Sequence, residues 1–245
     1  MMNRYVAFAG ISIFLVVFIY YANFSLRLGL PISSNVSNWA SLGDYMGGVL
    51  GPVLNFITIF ILVKSLVFQR HANEKIREEI ENNRKVEKLR SFESLFFNMI
   101  ESQSKIFDSL FIEVEIDGKL IVKKDAEAAL LIEENIESLR AEGISNQDIN
   151  EYLEDVDSFD KFFGLLRSFY ITVRMIAEKL SNDEGFSSKD REEHYLTLIN
   201  FTSFTHVRLV ILMVQFLDCY PSKYLKENKE FKEVLAKIGV SLELY

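Results

Sequence analysis

Two uncharged apolar runs near the start of the chain constrain its fold more than any other feature. They extend from Tyr5 to Phe24 and from Tyr45 to Val63, and the second continues with a single charge to about residue 68. A helix needs about 20 apolar residues to cross a hydrocarbon core of roughly 30 Å, so each run is long enough to span a membrane. The sequence therefore predicts a transmembrane helical hairpin over residues 1–69, with spans at about 5–24 and 45–68.

The charges around the two runs predict their orientation. The first run follows Arg4 but is too long for the apolar core of a secretory signal and lacks a small-x-small cleavage site, so we expect it to be retained. Arg27 is the only cation in the connecting segment. Cytoplasmic flanks are enriched in Lys and Arg. Many cations follow the second run: Lys64, Arg70, Lys75, Arg77, Arg84, Lys85, Lys88 and Arg90. Both termini are therefore expected in the cytoplasm, with residues 25–44 outside.

Composition narrows the class of the remaining chain. Its 245 residues and 49% hydrophobic content suffice for one hairpin and one modest core. The single cysteine, Cys219, cannot form an internal disulfide, so no oxidising compartment is implied. A net charge of -8 argues against a protein that broadly coats nucleic acid.

The second span is predicted to continue as a long helical rod. Residues 70–111 contain no Pro or Gly, and their apolar residues recur on one helical face. Over residues 70–91 this face contains few apolar residues, which indicates a charged helical stalk or a loose coiled coil. Asn83 interrupts a heptad pattern there. The face becomes rich in Phe from Phe92 onward. We therefore expect a packed cytoplasmic helical domain over 92–245.

A β-hairpin is predicted at residues 112–123. Ile112–Ile116 alternates in polarity, Asp117 and Gly118 form a favoured two-residue turn, and Lys119–Lys123 returns. The glutamates of the first strand are expected to face the lysines of the second. An isolated hairpin is marginally stable, so it should lie on a helix as a surface flap or offer an edge to a partner chain.

Five further helices are predicted over residues 124–142, 145–155, 158–180, 189–219 and 222–238. The segment Leu196–Leu217 is almost apolar enough for a third span, but His206 and Arg208 would lie near its middle. A charge there costs roughly 2.5–3.5 kcal/mol on insertion scales, so we expect a buried helix in which Arg208 has an acidic partner. The predicted fold is mainly α: a transmembrane hairpin, a long helix and a cytoplasmic helical bundle with one small β-hairpin.

Signals for catalysis are few. The three histidines, His71, His194 and His206, are too scattered for a metal cage, and Cys219 has no activating neighbour in sequence. The glycines near residue 47 lack the Lys-Ser/Thr of a phosphate-binding loop. The sequence therefore predicts neither an enzyme nor a cofactor or metal site.

The glycine segment before and within the second span carries the candidate site. Gly47, Gly48 and Gly51 allow close approach of helix backbones, and Pro52 is expected to kink the helix or begin it. Asp44 is expected to cap the helix start, and Asn55 can hydrogen-bond across helices. Two interpretations remain open: tight packing within the hairpin, or an oligomeric seam that lines a pore.

The same segment carries a family resemblance. Trp39-x-x-Leu42-Gly43-Asp44-Tyr45-x-Gly47-Gly48-x-x-Gly51-Pro52, followed by a membrane helix, a charged rod and Phe92-Glu-Ser-Leu-Phe-Phe-Asn-Met99, resembles the phage abortive infection family related to AbiC. Gly51 stands where that family typically has Asn. Similar two-span proteins act as toxic effectors beside retron-type defence modules. The resemblance implies a multi-pass protein of the bacterial inner membrane that stops infection by harming its own cell.

Two functional hypotheses follow. In the first, the hairpin forms homo-oligomers and disrupts or permeabilises the lipid bilayer; in the second, it only anchors a sensor or signalling partner. A self-toxic protein needs restraint, which we expect from a protein or nucleoprotein sensor, and direct binding of nucleic acid remains open. The expected contact residues are in the hairpin turn and the basic rod: Asp117, Gly118, Arg70, Lys75, Arg77, Arg84, Lys85, Lys88 and Arg90.

Overall fold

A computed structural model describes the backbone of residues 2–27, 29, 34–116, 119–157 and 160–245, with side chains for all of these except 2–5, 24 and 116. Its contacts divide the chain into two units, Met1–Asn82 and Asn83–Tyr245. The described part is mainly helical, with one small antiparallel sheet.

The first unit is built from two apolar helices. Helix α1 spans Met2–Tyr21 and is followed by a π-helical turn at Ala22–Arg27. Helix α2 spans Val36–Asp108. Apolar side chains of both helices are exposed, as Phe14 and Phe56 are, at 71% each. Both helices are long and apolar enough to cross a membrane.

Helix α2 begins nine residues before the predicted start of the second span. The side chain of Asn35 accepts a hydrogen bond from the backbone N–H of Ser37 at 3.0 Å, which satisfies a donor of the first turn. Asp44 therefore lies inside the helix, and the prediction that it caps the helix start is wrong. Pro52 is also internal and does not begin the helix.

The predicted rod is confirmed as one uninterrupted helix. Helix α2 continues to Asp108, three residues short of the predicted end at Phe111, which instead begins a strand. Its last part buries a face at spacings of three and four residues: Phe92, Phe96, Ile100, Gln103 and Phe107. This spacing places the five side chains on one side of the helix, against the core of the second unit.

The predicted hairpin is confirmed as strands β1, Phe111–Ile116, and β2, Lys119–Lys124. The turn residues Asp117 and Gly118 lie outside the described residues. Ile116 pairs with Lys119. This register sets the two glutamates of β1 opposite Val122 and Leu120, so the expected Glu–Lys pairs are wrong. The hairpin packs against the helix that follows it, with Ile112 only 4% exposed.

The next three helices agree with the predicted ranges within a few residues. They are α3 over Asp125–Ala141, α4 over Asn146–Val156 and α5 over Lys161–Lys179. The Ser145 side chain accepts from the Asp148 N–H, as a helix cap does. A short 3₁₀ turn at Asn182–Glu184 follows α5.

The last two predicted helices are each divided in two. Residues 189–219 form α6, Ser188–Phe201, and α7, Phe204–Phe216, which meet at a bend of 111°. Residues 222–238 form α8, Tyr220–Glu227, and α9, Lys229–Lys237. The side chains of Ser203 and Asn228 cap α7 and α9, so each break has its own hydrogen-bonding residue.

Helix α7 is the centre of the second unit. It contacts α3, α4, α5 and α8, and its residues from Leu209 to Val214 are at most 2% exposed. The expectation of a buried helix here is confirmed. Arg208 at its edge donates a hydrogen bond to Glu133 of α3, which confirms the expected acidic partner. The hydroxyl of Tyr245 also donates to Glu133, and burial raises the pKa of Tyr245 to about 12.

Candidate functional site in the second apolar helix

The early start of α2 places the whole glycine segment on a helical surface. In an α-helix, residues four apart lie in one row along the surface. Gly43, Gly47, Gly51 and Asn55 form one such row, which turns by about 40° at each step, so that Trp39 lies about 160° around the helix from Asn55. Asp44, Gly48 and Pro52 form the adjacent row. We call these two rows together the glycine face, and they contain every residue predicted for the membrane site except Trp39.

The glycines of this face have open space in front of them. A Cβ atom built on Gly43, Gly47, Gly48 or Gly51 would meet no atom within 4 Å. Gly47 and Gly48 are exposed. No described residue is packed closely against these four glycines. Any tight backbone packing on the glycine face must therefore come from outside the described residues.

Two polar side chains on the glycine face are unsatisfied. Asp44 and Asn55 are both exposed, and neither side chain has a hydrogen-bond partner among the described residues. By contrast, the Thr58 hydroxyl donates to the Leu54 carbonyl of its own helix at 2.8 Å. Asp44 and Asn55 lie about 16.5 Å apart along the axis, since each residue rises by about 1.5 Å. An unpaired polar group is costly in hydrocarbon, so this face is a poor surface for lipid.

Pro52 adds a backbone acceptor to the same face. Proline has no N–H, so the carbonyl oxygen of Gly48, four residues earlier, cannot receive its helical hydrogen bond. Gly48 is exposed and carries no side chain to cover this oxygen. The glycine face therefore presents a carboxylate, a carbonyl oxygen and an amide along one side of a predicted transmembrane segment.

The opposite side of α2 is apolar and partly covered. Leu42, Met46, Val49 and Ile57 are half-buried and lie across the helix from Asp44. Tyr45 lies between this side and the glycine face, about 100° around the helix from Asp44, and its ring centroid is 5.6 Å from that of Tyr20 in α1. Within the first unit, α2 thus has a partly covered apolar side and an open glycine face.

The cations predicted to contact a partner fall into three groups. Lys88 donates to Glu184 at 2.8 Å, and Lys85 lies over the ring of Phe186 at 5.3 Å, so both have contacts within the second unit. Arg70 forms an exposed ion pair with Glu74 in its own helix. The others are exposed on the surface of α2: Lys75, Arg77, Arg84 and Arg90.

Sequence reasoning missed the register of the glycines. Gly43-Asp-Tyr-Met-Gly47-Gly-Val-Leu-Gly51 contains two consecutive small-xxx-small spacings, a pattern of close helix–helix contact in membranes. The signal was present in the sequence. It was not recognised because the helix was expected to begin after Gly43, where apolarity rises.

Comparison with protein-family models, with curated proteins and with solved structures yields no match for this chain. Among the described residues, no three His, Cys, Asp or Glu side chains are grouped so that they could hold a metal ion.

Proposed function

We propose that this chain is a membrane effector of anti-phage defence, which oligomerises through the glycine face of α2 and permeabilises the bilayer. The observation that carries this proposal is the open tandem glycine spacing beside Asp44 and Asn55. Small residues let two helix backbones approach closely, and polar side chains hydrogen-bond across such contacts.

Self-association provides partners that the single chain lacks. In a contact between glycine faces, the Asn55 amide of one copy can form a hydrogen bond with the Asn55 amide of another copy. Alternatively, the two amides can face water that also reaches Asp44. Several copies arranged in this way would turn the polar side of α2 inward and the apolar residues toward lipid. Water-filled pores through membranes are lined by polar groups that face a common interior.

The biological setting of the proposal comes from the family resemblance of residues 39–52 and 92–99. It implies a bacterial inner-membrane protein that acts on its own cell after infection. The excess of cations after the second run supports an arrangement with both termini in the cytoplasm.

Replacing Gly47 and Gly48 with Leu tests the proposal. Two bulky side chains on adjacent rows should keep helices apart and reduce self-association roughly tenfold or more, which corresponds to a loss of about 1.4 kcal/mol or more. We expect induced cells carrying this double variant to retain their membrane potential, measured with a potential-sensitive dye. Cells with the unchanged chain should depolarise.

Gly10→Leu in α1 is the matched control, because Gly10 also has nothing within 4 Å of an added Cβ and lies off the glycine face. It should leave depolarisation unchanged. Membrane fractionation must show equal insertion of all variants. Equal depolarisation by the double variant would contradict the proposal.

A passive anchor is the second candidate function. It is favoured by the second unit, which has an apolar core of its own and would need the membrane helices only for attachment. A chimera in which an unrelated two-span anchor replaces residues 1–69 separates the two candidates. Retained defence against phage supports tethering, and lost defence supports a specific role for the hairpin.

Restraint in uninfected cells is proposed to come from a protein or nucleoprotein partner. The exposed residues Leu120 and Val122 of β2, and the exposed cations Lys75, Arg77, Arg84 and Arg90, are surfaces that such a partner can bind. Purification of the solubilised protein with the products of neighbouring genes tests this. A partner-free protein that is harmless before infection would contradict external restraint.

A further inference from the structure

A cleft in the second unit has the dimensions of a small-molecule site. It lies where the last turns of α2 and the start of α3 meet the bend between α6 and α7, and its volume is about 440 Å³. Pockets for small molecules usually measure roughly 300–1,000 Å³. The residues that determine its chemistry are Gln103, Phe107, Asp108, Asp125, Phe201 and His206.

Three residues that line this cleft each have one buried polar atom without a hydrogen-bond partner among the described residues: Gln103 Oε1, Asp125 Oδ1 and His206 Nε2. Gln103 and His206 are each only 2% exposed. The amide nitrogen of Gln103 is already engaged, because it donates to Thr172 and to the Ser168 carbonyl at 3.1 Å. Its oxygen remains free. Buried polar atoms are nearly always paired, so three unpaired atoms at one cleft indicate a missing partner.

The backbone at Asp125 is strained. Its φ is +50°, a left-handed conformation that side chains rarely adopt, and its N–H donates to the Leu110 carbonyl at 2.9 Å. Glycine would adopt this conformation without strain, yet the residue is an aspartate that lines the cleft. Strain of this kind concentrates at functional positions.

Aromatic rings form an apolar wall beside the unpaired atoms. The rings of Phe107 and His206 are stacked, with centroids 4.6 Å apart and an interplanar angle of 7°. Phe201, which is 66% exposed, lines the same cleft. A flat apolar group can pack against these rings.

The charges of the residues that line the cleft determine which ligand charge it favours. Asp108 and Asp125 are acidic, and none of the described lining residues is Lys or Arg. Burial lowers the pKa of His206 to about 4, so this ring adds no positive charge at neutral pH. An anionic ligand such as a phosphate ester would meet repulsion, whereas a cation with several N–H donors would find acceptors. No group of three metal-binding side chains occurs among the described residues, which favours an organic cation over a metal ion.

We propose that this cleft binds a small organic cation, an amine or amidine with a flat apolar body. Its N–H groups donate to Asp125 Oδ1 and Gln103 Oε1, and its apolar part packs against the wall formed by Phe107, His206 and Phe201. The proposal concerns the second unit alone and does not depend on the function proposed for the glycine face.

Benzamidine, a flat organic cation, is the probe. Benzamide and benzoate are its controls, because they have nearly the same size and shape but are neutral and anionic, respectively. The full chain in lipid nanodiscs is titrated with each compound by isothermal calorimetry, and empty nanodiscs give the background. We expect saturable binding of benzamidine, at least about tenfold tighter than that of benzamide or benzoate, because hydrogen bonds to charged groups are the stronger ones. Absence of saturable binding would overturn the proposal and indicate a cleft filled only by water, and equal binding of benzoate would overturn the preference for a cation.

Variants locate the binding. Asp125→Asn retains the shape of the side chain and tolerates the left-handed conformation, and we expect it to weaken benzamidine binding about tenfold or more. Gln103→Met should also weaken binding. Glu134→Gln removes an exposed carboxylate from the same helix outside the cleft and should leave binding unchanged. Unchanged affinity in both cleft variants, with benzamidine still bound, would place the probe elsewhere and refute the assignment.

Discussion

At the scale of single residues, His206 makes the stability of the fold depend on pH. It is 2% exposed, and burial holds its pKa at about 4, below the usual 6.5. Between about pH 4 and pH 6.5, His206 is therefore protonated in the unfolded chain but neutral in the folded chain. The stability that the neutral ring provides is complete above about pH 6.5 and is lost as the pH falls toward 4.

We predict that acidification from pH 7 to pH 4.5 lowers the free energy of unfolding by about 2 kcal/mol through this residue. Thermal unfolding of the solubilised chain across this range measures the effect. His206→Phe retains an aromatic ring against Phe107 and should flatten the pH dependence. His71→Gln, at an exposed position, is the control. An unchanged slope in His206→Phe would contradict the prediction.

At the scale of elements, helix ends depend on individual side chains. Ser187 accepts a hydrogen bond from the Asp190 N–H at 3.3 Å, and the Asp190 carboxylate accepts from the Ser187 N–H at 2.7 Å. These reciprocal bonds form a capping box at the start of α6. The bonds from Ser187 also hold the pKa of Asp190 below its usual range.

We predict that Ser187→Ala lowers the free energy of unfolding by about 1 kcal/mol, because a donor at the start of α6 loses its partner. The melting temperature should fall by roughly 2–4 °C, measured by circular dichroism. The adjacent substitution Ser188→Ala removes a hydroxyl at the first exposed position of the same helix and should have little effect. Equal losses from both substitutions would show that the capping box is not responsible.

The same elements show what the sequence could predict. The hairpin, the long rod and helices α3, α4 and α5 were predicted because polarity patterns and turn residues agree there. The breaks at Thr202–Ser203 and at Asn228 were missed, since the apolar pattern continues on both sides of each. A serine or asparagine that caps a helix looks the same in sequence as one on a surface, until tertiary packing bends the chain.

The start of α2 was misplaced for a different reason. The prediction used the onset of apolarity at residue 45 to locate a helix, but apolarity indicates contact with lipid and not helicity. Asn35 supplies the cap that begins the helix. The two small-xxx-small spacings follow once Gly43 is inside the helix. The acidic partner of Arg208 was predicted from the cost of a buried charge, but its identity as Glu133 depends on how α3 and α7 pack.

At the scale of the whole molecule, every buried apolar residue among the described residues lies between Phe92 and Leu235. The second unit therefore contains a complete apolar core. A chain segment with its own core of this kind can fold separately.

We predict that a fragment comprising residues 83–245 is soluble without detergent and unfolds in one cooperative transition. Phe96 is 0% exposed, so Phe96→Ala in this fragment should lower the free energy of unfolding by about 3–5 kcal/mol. Phe97→Ala, at a position that is 46% exposed, is the matched control and should cost much less. Urea denaturation followed by circular dichroism distinguishes them. An aggregated or non-cooperative fragment would contradict the prediction.

Trp39 gives the glycine face a spectroscopic property. It is the single tryptophan of the chain, it is 55% exposed, and it lies about one helical turn before Gly43, the first glycine of that face. Indole emission moves to shorter wavelengths when the ring loses contact with water. The intrinsic fluorescence of the unlabelled chain therefore arises from one indole next to the glycine face, and it can report changes there without an added dye.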